Sequence, residues 1–197
     1  MSVEPKNQVW LEWSRCRDGY KILEEADGSK LIGPLSVNKE AIHPLEMDAV
    51  LFRQFAELKS EKTILEFVTE YGLGTHPVER EPLGVWQVEP GRIGDAIKAW
   101  EKGDHDGLCT RFNELRMVPA NFRLEPQPRR NPPALYYQPK TLIDGLWVQF
   151  AHAVSQNKTQ RRCDYCHRWH ASQTKRRKFC SDKCRNDNFR KGKEQKQ

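Results

Sequence analysis

The apolar positions change period several times along the chain, and each change marks an element. Between residues 7 and 37 they sit as in half-buried strands: Val9-Trp10-Leu11, Tyr20-Lys21-Ile22-Leu23 and Leu31-Ile32, with Asp27-Gly28 supplying a turn before the last pair. A small hairpin is expected here, with an irregular loop covering the core as the alternative. From Met47 to Gly72 the spacing becomes helical. Val50, Leu51, Phe55 and Leu58 form one stripe, and Ile64, Leu65, Phe67, Val68 and Tyr71 form a second, with Ser60 placed to cap the second helix and Gly72 to end it. These aromatics read as core.

Gly72, Gly74, Pro77, Pro82, Pro90 and Gly91 then crowd together and predict a surface excursion over residues 73–92, with Trp86-Gln87-Val88 as a short strand or a packing patch. Gly72-x-Gly74 lacks the preceding strand and third glycine of a phosphate loop. Helical spacing returns from Ile93 to Trp100 and again from about Asp106 to Leu115. Weak alternation in Arg116-Met117-Val118 and Phe122-Arg123-Leu124 predicts one or two edge strands around Pro119. Pro126, Pro128, Pro132 and Pro133, with Arg129-Arg130 between them, read as a stiff exposed connector.

Leu142, Ile143, Leu146, Trp147, Phe150, Ala151 and Val154 give residues 140–155 a broad apolar face, predicting a helix that docks on the N-terminal core. The polar run Ser155-Gln156-Asn157-Lys158-Thr159-Gln160 marks a boundary. The expected fold is α+β: a mainly helical domain over residues 1–155 with a few short strands, a linker over 156–162, a small zinc finger over 163–192 and a basic tail over 193–197.

Composition narrows the class. With 37% hydrophobic residues, six Trp and eight Phe in 197 residues, the chain is globular rather than disordered. Its polar start, MSVEPKNQVW, and the lack of any apolar run near about 18 residues argue against a signal peptide or membrane span, so a cytoplasmic location is expected. Charge is unevenly divided. Residues 161–197 hold 13 Lys and Arg against 4 Asp and Glu, whereas residues 1–160 hold 20 against 23. All the excess positive charge therefore lies at the C-terminal end, where it suits a polyanion.

That end also holds the chemistry. Cys163 and Cys166 form a C-x2-C, Cys180 and Cys184 a C-x3-C, and 13 residues separate the pairs, which is the arithmetic of a four-thiolate zinc site. Two intervening residues let a tight turn aim both sulfurs at one ion, and three place Cys184 on the first turn of a starting helix. Ser181 reads as that helix's N-cap, Asp182 adds negative charge at its positive end, and Gly192 can terminate it after Arg190 and Lys191. The helix is expected over about Asp182 to Lys191. Without a clamp, this short basic segment has too few apolar side chains to fold.

Other readings of the same residues are weaker. C-x-x-C-H at Cys163, Cys166 and His167 is also the c-type haem attachment pattern, but that chemistry belongs to exported chains. A thioredoxin-like C-x-x-C lacks its strand–helix–strand context. His167 or His170 can stand in for one sulfur, although four spaced thiols make this unnecessary. Cys16 and Cys109 fall outside any pair and read as buried thiols in a reducing compartment.

The segments FAELKSEKTILEFVTEYGLG, TLIDGLWVQFAHAV and CxxC…FCSDKCRNDNFRK resemble bacterial proteins that carry a variable N-terminal domain and a C-terminal CGNR-like or FCS-type treble-clef zinc finger. The finger match covers about Arg161 to Lys191. Where the CGNR pattern has Gly-Asn-Arg after its last cysteine, this chain has Arg185-Asn186-Asp187. The resemblance implies a DNA-binding transcriptional regulator with Cys163, Cys166, Cys180 and Cys184 as zinc ligands.

A closed four-sulfur shell keeps no position open for water or substrate, so the expected zinc is structural and the protein is not expected to be an enzyme. The scattered His43, His76, His105 and His152 supply no catalytic constellation. Nucleic acid is the expected partner, with DNA favoured over RNA through the resemblance alone. Its expected contacts are Lys175, Arg176, Arg177 and Lys178 in the loop and Lys183, Arg185, Asn186, Arg190 and Lys191 on the helix. Trp169 and His170 can stack on an unpaired base, or Trp169 can cover the finger's own small core. The alternative is an interaction adaptor whose finger docks an acidic protein, and a further protein partner is expected for the N-terminal domain.

Overall fold

Of the strand-like segments read near the N-terminus, Tyr20-Lys21-Ile22-Leu23 and Leu31-Ile32 lie in strands, Leu11 does not, and Val9 and Trp10 lie outside the described residues. The computed structural model describes residues 11–48, 50–75, 79–115, 120–127, 130–157, 159–172 and 177–194. Its first elements are β1 (Trp13–Cys16), β2 (Tyr20–Glu24), β3 (Lys30–Pro34) and β4 (Lys39–Ile42). The β2–β3 hairpin closes over Asp27-Gly28, where Asp27 Oδ1 accepts the Ser29 amide proton at 2.9 Å and Gly28 takes φ +82°. β1 pairs antiparallel with β4, from Trp13 opposite Ile42 to Cys16 opposite Lys39. These strands bury Trp13, Cys16, Tyr20, Ile32 and Ile42.

The helical stretch over Met47–Gly72 is broken into α2 (Leu51–Phe55) and α3 (Glu61–Tyr71), and a short α1 (Pro44–Met47) precedes it. Ser60 caps α3 as its sequence position predicts. Its Oγ accepts the Thr63 amide proton at 3.3 Å, and Thr63 Oγ1 accepts that of Ser60 at 3.2 Å. Gly72 ends α3 at φ +85°, ψ 178°, a conformation that only glycine adopts readily. Beyond it, β5 (Glu81–Pro82) extends the hairpin sheet by pairing with β3.

The excursion predicted over residues 73–92 is replaced in its second half by α4 (Leu83–Lys102), which runs straight through Pro90. Leu83, Trp86, Pro90, Ile93 and Ile97 lie at helical spacing and are buried, with Trp86 at 0% exposure. An interior proline costs a helix about 3 kcal/mol, so this helix is held by its packing. Trp86 meets Phe55 and Phe67 at ring distances of 5.7 and 5.9 Å. Asp104 then starts α5 (His105–Leu115), its Oδ1 accepting the Gly107 amide proton at 2.9 Å.

The proline-rich connector is likewise a hairpin, β6 (Ala120–Gln127) with β7 (Arg130–Pro139). Ala120 lies opposite Pro139 and Phe122 opposite Tyr137, and the register shifts between Glu125 and Gln127, around Pro126. Pro126, Pro132 and Pro133 fall in this irregular stretch, outside the paired positions, which is where a ribbon tolerates proline. The proposed strand at 116–118 lies outside the described residues.

Thr141 caps α6 (Leu142–Ser155), accepting the Asp144 amide proton at 3.0 Å. This helix supplies Leu142, Ile143, Leu146, Trp147 and Phe150 to the core shared with α2, α3 and α4. Gln149 fastens α6 to the start of α2: its Oε1 accepts from Phe52 N–H at 3.2 Å and its Nε2 donates to the Asp48 carbonyl at 2.7 Å. The chain continues through β8 (Thr159–Arg162), β9 (Trp169–Ser172) and α7 (Asp182–Glu194). The architecture is α+β. Among the described residues, no helix is long and apolar enough to cross a membrane.

Candidate metal centre and the surface it shapes

β8 and β9 pair antiparallel, with Arg162 opposite Trp169, so residues 163–168 form the turn between them. Cys163 N–H donates to the Arg168 carbonyl at 2.9 Å and His167 N–H to the Cys163 carbonyl at 3.0 Å. This tight loop puts His167 at φ +58° and turns Cys163 and Cys166 to one side. The second pair arrives on the far side of the loop. Ser181 Oγ accepts the Cys184 amide proton at 3.2 Å, confirming Ser181 as the cap of α7 and fixing Cys184 in its first turn. Asp164 N–H donates to the Lys178 carbonyl at 3.0 Å and ties the two halves together.

The four sulfurs converge. All lie within 4.8 Å of one another, with Cys166 to Cys180 at 3.6 Å and Cys180 to Cys184 at 3.4 Å. None is in a disulfide. A tetrahedral ion bound at about 2.3 Å to each sulfur sets sulfur–sulfur edges near 3.8 Å, so the cluster has the size of a four-thiolate metal site. Cys163 is fully buried and the other three are half-buried. His167 and His170 lie outside this cluster of four.

The thiols are electrostatically unequal. Burial by itself raises Cys163, but the backbone N–H groups of Cys166, Cys180 and Tyr165 outweigh it and bring that thiol down to about 6. Cys180 is pushed up to about 12, first by burial and then by the neighbouring Cys184, Cys166 and Cys163 sulfurs. Burial raises Cys166 as well. Four clustered thiols cannot all ionise against one another, and a divalent cation at their centre removes that conflict.

The basic residues divide by role. Lys175 and Arg176 lie outside the described residues. Arg177 turns inward, donating to the Phe179 carbonyl at 3.1 Å and to the Cys180 carbonyl at 2.9 Å. Arg185 pairs with Asp182 at 3.2 Å, and the Lys191 ammonium sits 4.9 Å from the centre of the Tyr165 ring. Lys183, Asn186 and Arg190 are exposed along one line of α7, and among the described residues Lys178, Lys183 and Arg190 have no acidic partner. Gly192 does not end α7, which continues to Glu194. Phe189, 62% exposed, stands on the same helix.

Sequence reasoning missed where the hairpin goes. Trp169 neither stands free nor covers only its own loop: it packs against the main core with Ala171, and its Nε1–H donates to Glu57 Oε1 at 2.9 Å. Glu57 also accepts from Arg162. The Arg53 guanidinium lies 4.7 Å from the Trp169 ring and 5.8 Å from that of Trp100, while its Nε–H donates to Gln160 Oε1 at 2.6 Å. Gln160 thus makes a structural contact from within the polar run read as a boundary. The available signal was Arg53 itself, a cation inside the apolar run Leu51, Phe52, Phe55. Of the two remaining cysteines, Cys16 is buried as expected but Cys109 is exposed, because α5 turns that side to solvent. Compared with models of known families and with curated proteins, the chain matches none.

Proposed function

We propose that one structural zinc ion occupies the four-sulfur centre and shapes a treble-clef finger that binds nucleic acid. Soft thiolate donors at tetrahedral spacing suit zinc, and a C-x2-C turn in a hairpin followed by a C-x3-C at a helix start suits the treble clef. Four sulfurs close the coordination shell, which supports a binding role over catalysis. Reduced thiols fit the cytoplasm.

The observation that carries the reading is the outer line of α7, where Lys183, Asn186 and Arg190 face solvent in a segment with 13 cations against 4 anions. Cations without acidic partners are available to phosphates, and an asparagine between them can meet base edges. DNA and transcriptional regulation enter through the resemblance to FCS-type fingers. The test is binding of the full chain to duplex and single-stranded probes over a salt series. Log K is expected to fall linearly with log salt, by about 0.9 per phosphate contacted. Salt-independent binding, or capture of an acidic protein that survives nuclease, contradicts the proposal.

A further inference from the structure

The finger hairpin is built into the body of the protein by a stack of alternating rings and cations. In order, the stack runs Trp100, Arg53, Trp169, Arg162, with the guanidinium carbons 5.8, 4.7 and 5.1 Å from the ring centres they face. Arg53 is only 7% exposed. A cation so enclosed needs compensation from every side. The body supplies Trp100 and the Glu101 carboxylate; the hairpin supplies the Trp169 face and the Gln160 amide oxygen. Glu57 closes the joint from the body side, accepting from both Trp169 and Arg162.

Every hairpin residue in this joint flanks the turn that carries Cys163 and Cys166. Gln160 and Arg162 lie on β8 just before it, and Trp169 opens β9 just after it. On the body side, Arg53 belongs to α2, five residues long and without a side-chain cap of its own, and Glu57 lies just past its C-cap, Ala56. So short a helix owes its order to what packs on it.

The geometry points to a mechanical coupling between the metal centre and α2: metal held by the four sulfurs fixes the β8–β9 hairpin, which in turn completes the compensation of Arg53 and orders residues 50–59. Loss of metal releases Trp169 and Gln160 from Arg53 and loosens this part of the body. This rests on the metal reading above. It also assigns the two sides of the finger: the hairpin side is occupied by the body, and the outer side of α7 is the side left for a partner.

Amide hydrogen exchange of the full chain, before and after chelation, tests it, with metal content measured in parallel. Stripping the metal is expected to speed exchange in residues 50–59 by about tenfold or more, while residues 93–99 in the middle of α4 change less. Two variants separate the joint from the metal site. Trp169→Leu and, at an exposed position, Glu57→Gln are each expected to retain one metal per chain, yet to exchange faster in 50–59 with metal bound and to respond less to chelation. Faster exchange confined to residues 160–194 after stripping overturns the coupling, as does a wild-type response from both variants. A chain that takes up no metal overturns it too, and metal analysis identifies that failure as one of the metal reading itself.

Discussion

Ser181 caps α7 with the same hydroxyl that positions one sulfur of the four-cysteine cluster: its Oγ accepts the amide proton of Cys184 at 3.2 Å. Helix start and sulfur placement are therefore one feature. Ser181→Ala is expected to cost about 1 kcal/mol of local stability. On the proposed metal reading, folding around the ion and binding of it are linked, so this is expected to appear as about fivefold weaker metal affinity in a chelator competition. Unchanged affinity would separate the cap from the site.

Gly72 makes a comparable demand on backbone geometry in the core. At φ +85° and ψ 178° it sits where other residues are strained, and a Cβ there would lie 3.0 Å from the Ser14 carbonyl oxygen and from the Trp13 ring. Gly72→Ala is expected to destabilise the protein by about 2 kcal/mol or more in chemical denaturation. A neutral result would mean that the α3 terminus can re-form in another conformation.

The cations of the finger should differ in what they do for polyanion binding. Lys183→Ala and Arg190→Ala are each expected to reduce the magnitude of the salt slope by about 0.9. Arg162→Ala, whose guanidinium is held by Glu57 and Trp169, is expected to leave that slope nearly unchanged while lowering thermal stability. Equal losses from all three would show that the positive surface acts without regard to the contacts that hold Arg162.

Asp48 predicts a pH dependence. Burial lifts its carboxyl above the ordinary 3.8, and the Glu70 charge adds to this, while bonds from Val50 and Gln54 and the Arg168 charge oppose it. The folded protein therefore keeps this proton to higher pH than the unfolded chain does. The stability this group contributes is present below its unfolded value and is lost as pH rises through its folded one. Asp48→Asn cannot ionise. Relative to wild type, the variant is expected to gain stability as pH rises above the ordinary carboxylate value; a difference that stays constant with pH would assign Asp48 no such role.

How legible the chain was depends on how local each cause is. Ser60, Gly72, Asp27-Gly28, Thr141–Ser155 and the four cysteines obey rules that act within a few residues, and the structure follows them. Pro90 and Gly91 carried a strong local signal for a break, and it was outweighed. Leu83, Trp86, Pro90, Ile93 and Ile97 keep helical spacing across it, and burial of that stripe in the core, with Trp86 against Phe55 and Phe67, decides the outcome. Pro126, Pro132 and Pro133 misled for the opposite reason, since they fall in the irregular stretch of a two-stranded ribbon, between the Glu125–Ala134 and Gln127–Arg130 pairs, where the regular ladder is already interrupted. Trp169 could not be placed from sequence at all, because its partners Arg53 and Glu57 lie more than a hundred positions away.

The central claim is that an ion at the four sulfurs holds the C-terminal finger in shape, and metal analysis of the purified full chain tests it most directly. The account predicts one zinc per chain, lost in a Cys163→Ser/Cys180→Ser double variant together with exchange protection of α7. A chain that carries no stoichiometric metal and still protects α7 as wild type would contradict it.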